Sequence, residues 1–225
     1  MRKLFLATFI ISITACTKEI NSDSLPVNAN SVQSNAIAAD TYLPLTTGTF
    51  WKYKINTETG SDASTLTVLN MQKKFNGKNY TAIKAVTNQK PDTVYYNQTQ
   101  HNYYLYSNEG NDDASNMHVE LLFLKDDVNA GSSWTASAGS ANGVSLQCYG
   151  KIIEKNMTLT IGDTAYKNVI HSYVEIRKPV FFFYIVVDKQ NFYVAKNVGI
   201  IKNASMQLLP ETSSSTTSIL DYKIK

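Results

Sequence analysis

The chain has 225 residues, 43% of them hydrophobic, with 21 basic against 18 acidic side chains, 14 tyrosines and only two cysteines. A charge so nearly balanced supplies no basic surface for nucleic acid. Two cysteines cannot frame a disulfide-stapled mini-domain, so stability has to come from packing.

Arg2 and Lys3 precede an apolar run over residues 4–13, and Ile13-Thr14-Ala15-Cys16 closes it with small residues before a cysteine. That is the layout of a secretory signal of lipoprotein type, with residues 1–15 removed and Cys16 left as the new N-terminus. Acyl chains on Cys16 would hold the protein to a membrane, each buried CH₂ contributing about 0.8 kcal/mol. The run is far shorter than the roughly 20 residues of a spanning helix. Of the 21 basic residues, Arg2 and Lys3 leave with the signal, so 19 face 18 acidic ones in the mature chain. Residues 16–40 begin with the lipidated cysteine and continue rich in Ser, Asn and Ala without a sustained period. They read as a flexible tether of about 25 residues with a reach of roughly 28 Å.

From Tyr42 onward hydrophobic residues alternate strictly. Trp51, Tyr53 and Ile55 alternate with Lys52, Lys54 and Asn56; Met157, Leu159 and Ile161 with Thr158 and Thr160; Leu220, Tyr222 and Ile224 with Asp221 and Lys223. Such segments are strands with one wet face. Turn signals fall at Asn76-Gly77, Gly110-Asn111, Asn142-Gly143, Gly162-Asp163 and Asn197. The fold class is therefore all-β and mainly antiparallel, an open barrel or a sandwich, in one domain over residues 41–225. The longest apolar run after the signal, residues 180–187, suits a buried strand, and the serine-threonine run at residues 213–218 suits a polar hairpin loop.

An internal repeat suggests two β units, residues 42–120 and 121–225. Asn102-Tyr103-Tyr104-Leu105-Tyr106 aligns with Asn191-Phe192-Tyr193-Val194-Ala195, Gly48 to Trp51 matches Gly131 to Trp134, and Gly77 to Tyr80 loosely matches Gly162 to Tyr166.

Signals for chemistry are sparse. His101, His118 and His171 have no second ligand at metal spacing, and no metal or other cofactor is expected. The oxygen-rich residues 108–113 lack the ligand pattern of a calcium loop and read as a turn. Asp126 and Asp127 read as solvated turn residues. Cys148 alternates with Val144 and Leu146, which makes it a buried, inert thiol. No nucleophile elbow, phosphate loop or triad motif occurs, and no catalytic residue is assigned. Glu120, Glu154 and Glu175 are the carboxylates a hydrolase would draw on, although a solvated sheet face accounts for them. Tyr95, Tyr103, Tyr104 and Tyr106 crowd two consecutive strands. An outward set of them would form a stacking surface for a glycan or a protein, the alternative being core filling.

Tyr42-Leu43-Pro44-Leu45-Thr46-Thr47-Gly48-Thr49-Phe50-Trp51-Lys52-Tyr53 resembles the opening of many uncharacterised envelope lipoproteins of the Bacteroidetes type. Residues 193–202, Tyr193-Val194-Ala195 through Val198-Gly199 to Lys202, are similar to a second element of the same proteins. The resemblance implies an envelope location and says nothing of activity. At fold level the chain also resembles lipoprotein carriers that hold an acyl chain in an open barrel. The expected function is a monomeric, non-enzymatic binding or scaffold domain lipid-anchored to the outer membrane. A carrier whose cavity is lined by residues 181–187 is the first alternative, and a surface hydrolase the second.

Overall fold

The computed structural model describes residues 40–109 and 117–225, so Cys16, the signal and nearly all of the tether lie outside the described residues, as does most of the loop at 108–113. The strands are β1 (Phe50–Thr57), β2 (Gly60–Phe75), β3 (Lys78–Thr87), β4 (Lys90–Thr99), β5 (Asn102–Glu109), β6 (Met117–Lys125), β7 (Ser133–Ala141), β8 (Val144–Ile161), β9 (Thr164–Val180), β10 (Phe183–Ala195), β11 (Gly199–Gln207) and β12 (Ser213–Lys223). Each pairs antiparallel with the next, and β12 pairs with β1. The chain is thus the all-β antiparallel barrel that its sequence predicts, closed where an open one was expected, and closure removes the sheet edges that would otherwise invite pairing with other chains.

Local chemistry drives this meander. Asn76 and Gly77, and again Asn142 and Gly143, have φ of 48°, 79°, 51° and 75°. Such two-residue turns match the right-handed twist of the strands they join. Odd-numbered strands begin at one end of the barrel, the tether end, where Thr41 docks. Its Oγ1 donates to Gln98 Oε1 at 2.6 Å, and the Asn197 amide donates to its carbonyl at 2.7 Å.

The inner face at the tether end is apolar and filled. Phe123 lies 5.1 Å from Phe192 and 6.4 Å from both Tyr96 and Tyr103, ring centre to ring centre. Around them Trp51, Tyr53, Val194 and Ile201 are buried. The β6–β7 ladder lasts only from Met117–Ala141 to Val119–Gly139. Gly139 permits that close approach, since a Cβ there would stand 2.1 Å from the His118 carbonyl oxygen, and its φ is +86°. Past this point β6 and β7 part, and side chains satisfy the freed carbonyls. Leu122 O accepts from Trp134 Nε1 at 3.3 Å and from Cys148 Sγ at 3.6 Å, and Phe123 O accepts from Ser172 Oγ at 2.6 Å. Inner side chains of β8 and β9 therefore reach the main chain of β6, two and three strands away around the barrel.

Two hairpins continue past the barrel at the tether end. The β8–β9 arm turns across it: Tyr166 lies 6.3 Å from Tyr222 of β12, and Met157, Leu159 and Ile161 pack on the core. The β2–β3 arm folds onto the outer wall. These arms carry the loosely matched Gly77 and Gly162 turns and stand six strands apart, as do the β1 and β7 starts with Trp51 and Trp134. The best-aligned segments occupy different positions, since β5 runs away from the tether end and β10 runs towards it.

Two readings of local sequence are corrected. Residues 213–218 belong to β12, because their hydroxyls pair with other polar groups inside the barrel, as between Ser215 and Ser205 at 2.9 Å. Residues 180–187 are not a buried strand: Phe181 and Phe182 form an exposed turn, and the apolar run is cut by it.

Candidate functional site

The tyrosines singled out in the sequence divide between the two faces of the wall. Tyr103 points inward and is fully buried; its hydroxyl donates to Asp126 Oδ2 at 2.6 Å. Asp126 is accordingly no solvated turn residue, since its other oxygen meets His101 Nδ1 at 2.6 Å. Alternation along β5, unbroken in its ladder with β4, puts Tyr103 on the opposite face from the outward set, which comprises Tyr95, Tyr104 and Tyr106.

That outward set is covered. The β2–β3 arm lays Phe75 on Tyr106, stacked at 4.0 Å, with Tyr80 and Tyr95 edge-on to Phe75 at 5.7 and 5.0 Å. Lys78 Nζ lies 4.6 Å above the Tyr104 ring. Glu120 fastens the arm by accepting from Asn76 Nδ2 at 2.8 Å, Lys78 Nζ at 2.6 Å and the Tyr80 hydroxyl at 2.5 Å. Burial alone would raise the Glu120 carboxyl, but these donors outweigh it and hold it below the ordinary glutamate value. The same carboxylate, together with burial, pushes the Tyr80 hydroxyl well up. Glu120 is thus a buried clasp and not a carboxylate on a solvated face. An alternation pattern shows which side tyrosines take, but not that a hairpin three strands away will lie over them.

The remaining candidates do not gather. Glu175 accepts from Tyr173 and Arg177 on the outer face of β9, and Glu154 is exposed opposite His171 in the β8–β9 ladder. His118 stacks against Tyr106 at 6.5 Å, His171 against Tyr193 at 4.3 Å, and His101 stays with Asp126. Among the described residues no three His, Cys, Asp or Glu side chains come together as a metal site. Cys148 is fully buried, and burial pushes its thiol up to about 12, which makes it inert at neutral pH.

The exposed apolar surface lies at the other end of the barrel. The last β8–β9 pair is Gln147–Arg177 and the last β10–β11 pair Asp188–Gln207, with Val187 O still accepting from Leu208 N, so residues 178–185 pair only with one another and project as a free hairpin. At its tip Phe181 and Phe182 are 93% and 104% exposed, and Phe183 and Tyr184 beside them are exposed too. Phe181 has φ 53°, whereas the other non-glycine residues with positive φ among the described residues are all Asn or Gln. A bulky residue held in that region is strained, and here its side chain gains no packing in return. Phe181 to Tyr184 cannot line a cavity inside the barrel, whereas Val187 belongs to the core and Ile185 packs on it. The apolar run was visible in the sequence; the projection of its turn was not.

No protein-family model and no curated protein matches the chain. Three solved structures are similar to it at low identity. A protein described as a lipoprotein of Parabacteroides distasonis superposes with TM-score 0.50 at 12% identity, covering 82% of this chain and 99% of that one. A protein of Bacteroides fragilis described as exported, with a YmcC-like fold, gives 0.49 at 12%, covering 82% and 100%. A protein of Escherichia coli described as the hypothetical lipoprotein YmcC gives 0.41 at 12%, covering 76% and 84%.

Proposed function

We propose that this protein is an envelope lipoprotein, held on the outer membrane by acylated Cys16, whose barrel is a non-enzymatic recognition domain contacting a partner protein through the β9–β10 tip. The exposed aromatic tip carries the proposal. It stands at the end of the barrel opposite Thr41, so the tether leaves from one end and the contact surface is presented at the other. A contiguous exposed apolar patch is a costly surface to keep in water and marks an interaction site, and aromatic anchors dominate protein interfaces. The signal sequence and the lipoprotein name borne by the Parabacteroides neighbour support the envelope location.

The β6 wall in contact with β8 and β9 favours this reading over an acyl-chain carrier. The test is site-specific photo-crosslinking in cells, with the crosslinker at position 182 or, as a control, at Lys223. A discrete protein adduct at 182, lost when Phe181 and Phe183 are changed to Ser, is expected. Equal labelling at both positions would overturn the tip as the contact. A Cys16→Ala chain should appear in the soluble fraction, and its persistence in membranes would overturn the anchor.

A further inference from the structure

The inner wall changes character along β10. Phe192 and Val194 face the apolar core at the tether end, while two and four residues earlier the same face carries Gln190 and Asp188, 1% and 2% exposed. Register puts Gln207 and then Ser213 beside Asp188, and Ser205 and then Ser215 beside Gln190, on β11 and β12. Ser205 and Ser215 are hydrogen-bonded at 2.9 Å, and Asn203 Nδ2 donates to Gln190 Oε1 at 3.1 Å. Across the barrel, Thr87 donates to Ser64 at 2.8 Å, both buried. A protein interior normally excludes such groups, because each buried polar atom costs free energy unless it is paired.

Three atoms here lack a well-formed hydrogen bond: both carboxyl oxygens of Asp188 and the amide nitrogen of Gln190, which lies near the carboxyl but out of bonding geometry. Burial pushes the Asp188 carboxyl up to about 7, the neighbouring Gln190 amide offsetting part of that. The arrangement lies just beneath the far rim, since β11 ends at Gln207 and β12 begins at Ser213. Gln207 Nε2 also donates to Leu209 O, tying the rim loop over it at 2.9 Å.

We propose that the Asp188–Gln190 face of the barrel interior is a binding site for a small neutral polyhydroxylated ligand, such as a sugar ring. The unpaired set is mixed. Asp188 offers acceptors, and Gln190, its oxygen already engaged by Asn203, offers donors. A metal cation would satisfy Asp188 but would face the positive edge of the Gln190 amide, and an anion would face the carboxyl. A hydroxyl both donates and accepts, so adjacent hydroxyls on one ring match both side chains. Entry requires residues 208–212 to move and the side chains packed beneath them to part, since Asp188 and Gln190 are 2% and 1% exposed. The site is separate from the β9–β10 tip and does not depend on what binds there.

The test uses the chain from residue 16 onward with Cys16→Ala, titrated by NMR with glucose, galactose, N-acetylglucosamine and inositol, and separately with calcium chloride. Hydrogen exchange on the same samples locates any effect. One neutral ligand is expected to bind and to protect residues 188–190 and 205–215. Asp188→Leu should lower that affinity at least about tenfold, as two hydrogen bonds to a partly charged group are lost. If Asp188→Leu fails to fold, Ser205→Tyr, which fills the same space, should abolish the protection. Absence of protection by every sugar, protection confined to the tip or to the β2–β3 arm, or a response to calcium alone would overturn the proposal.

Discussion

Glu120 on β6 holds the ammonium of Lys78 on β3 at 2.6 Å although β4 and β5 lie between their strands. Only a β2–β3 arm folded flat over the outer wall can make that contact, and the same carboxylate also receives Asn76 and Tyr80. Glu120→Ala should therefore cost about 2–4 kcal/mol, because it leaves a buried hydroxyl and an ammonium without their acceptor. Denaturant melts measure this, and limited proteolysis should cut residues 69–80 first. The pH response follows from the depressed carboxyl: its stabilisation is present above the free value of 4.5 and is lost as pH falls through the lower folded value. Glu120→Gln should remove that acid sensitivity.

Asp188 should behave in the opposite sense. Its folded carboxyl titrates near 7, against 3.8 when free. The folded state therefore binds a proton that the unfolded state releases, and stability falls as pH rises between those values. Asp188→Asn should melt several degrees higher than the parent at pH 8 and equal to it below pH 4. An identical melting difference at both pH values would contradict a buried, neutral carboxyl.

Phe181 is strained and Phe182 is bare to solvent. Phe181→Gly should be neutral or stabilising by up to about 1 kcal/mol, since glycine adopts positive φ freely. Phe182→Ser should leave the melting temperature unchanged. Phe181→Gly with the crosslinker at position 182, and Phe182→Ser with it at position 184, should nevertheless weaken the crosslink at the tip, a separation of stability from contact that calorimetry and crosslinking together would reveal.

Gly150 sits under the Trp134 indole so closely that a Cβ would stand 2.1 Å from its Cε2 atom. Gly150→Ala should cost more than about 2 kcal/mol, because the ring must leave the Leu122 carbonyl it serves. The same displacement should open Cys148, which shares that carbonyl, to a thiol reagent that the parent resists until it unfolds.

Period-2 alternation and the Asn-Gly turns were enough to read an antiparallel all-β chain, because both arise from contacts between near neighbours along the strand. Cys148 was legible as an inert core thiol for the same reason. Residues 213–218 misled because a strand that faces a polar interior has hydroxyls on both sides and shows no alternation of polarity. Residues 180–187 misled because an apolar run is equally long whether its turn is buried or projects. Barrel closure, the clasp of Glu120 across β4 and β5, and the meeting of Asp188 with Gln207 depend on strand register and on the path of hairpins between distant segments. Those are long-range packing choices, which no local pattern of side chains encodes and only the assembled barrel decides.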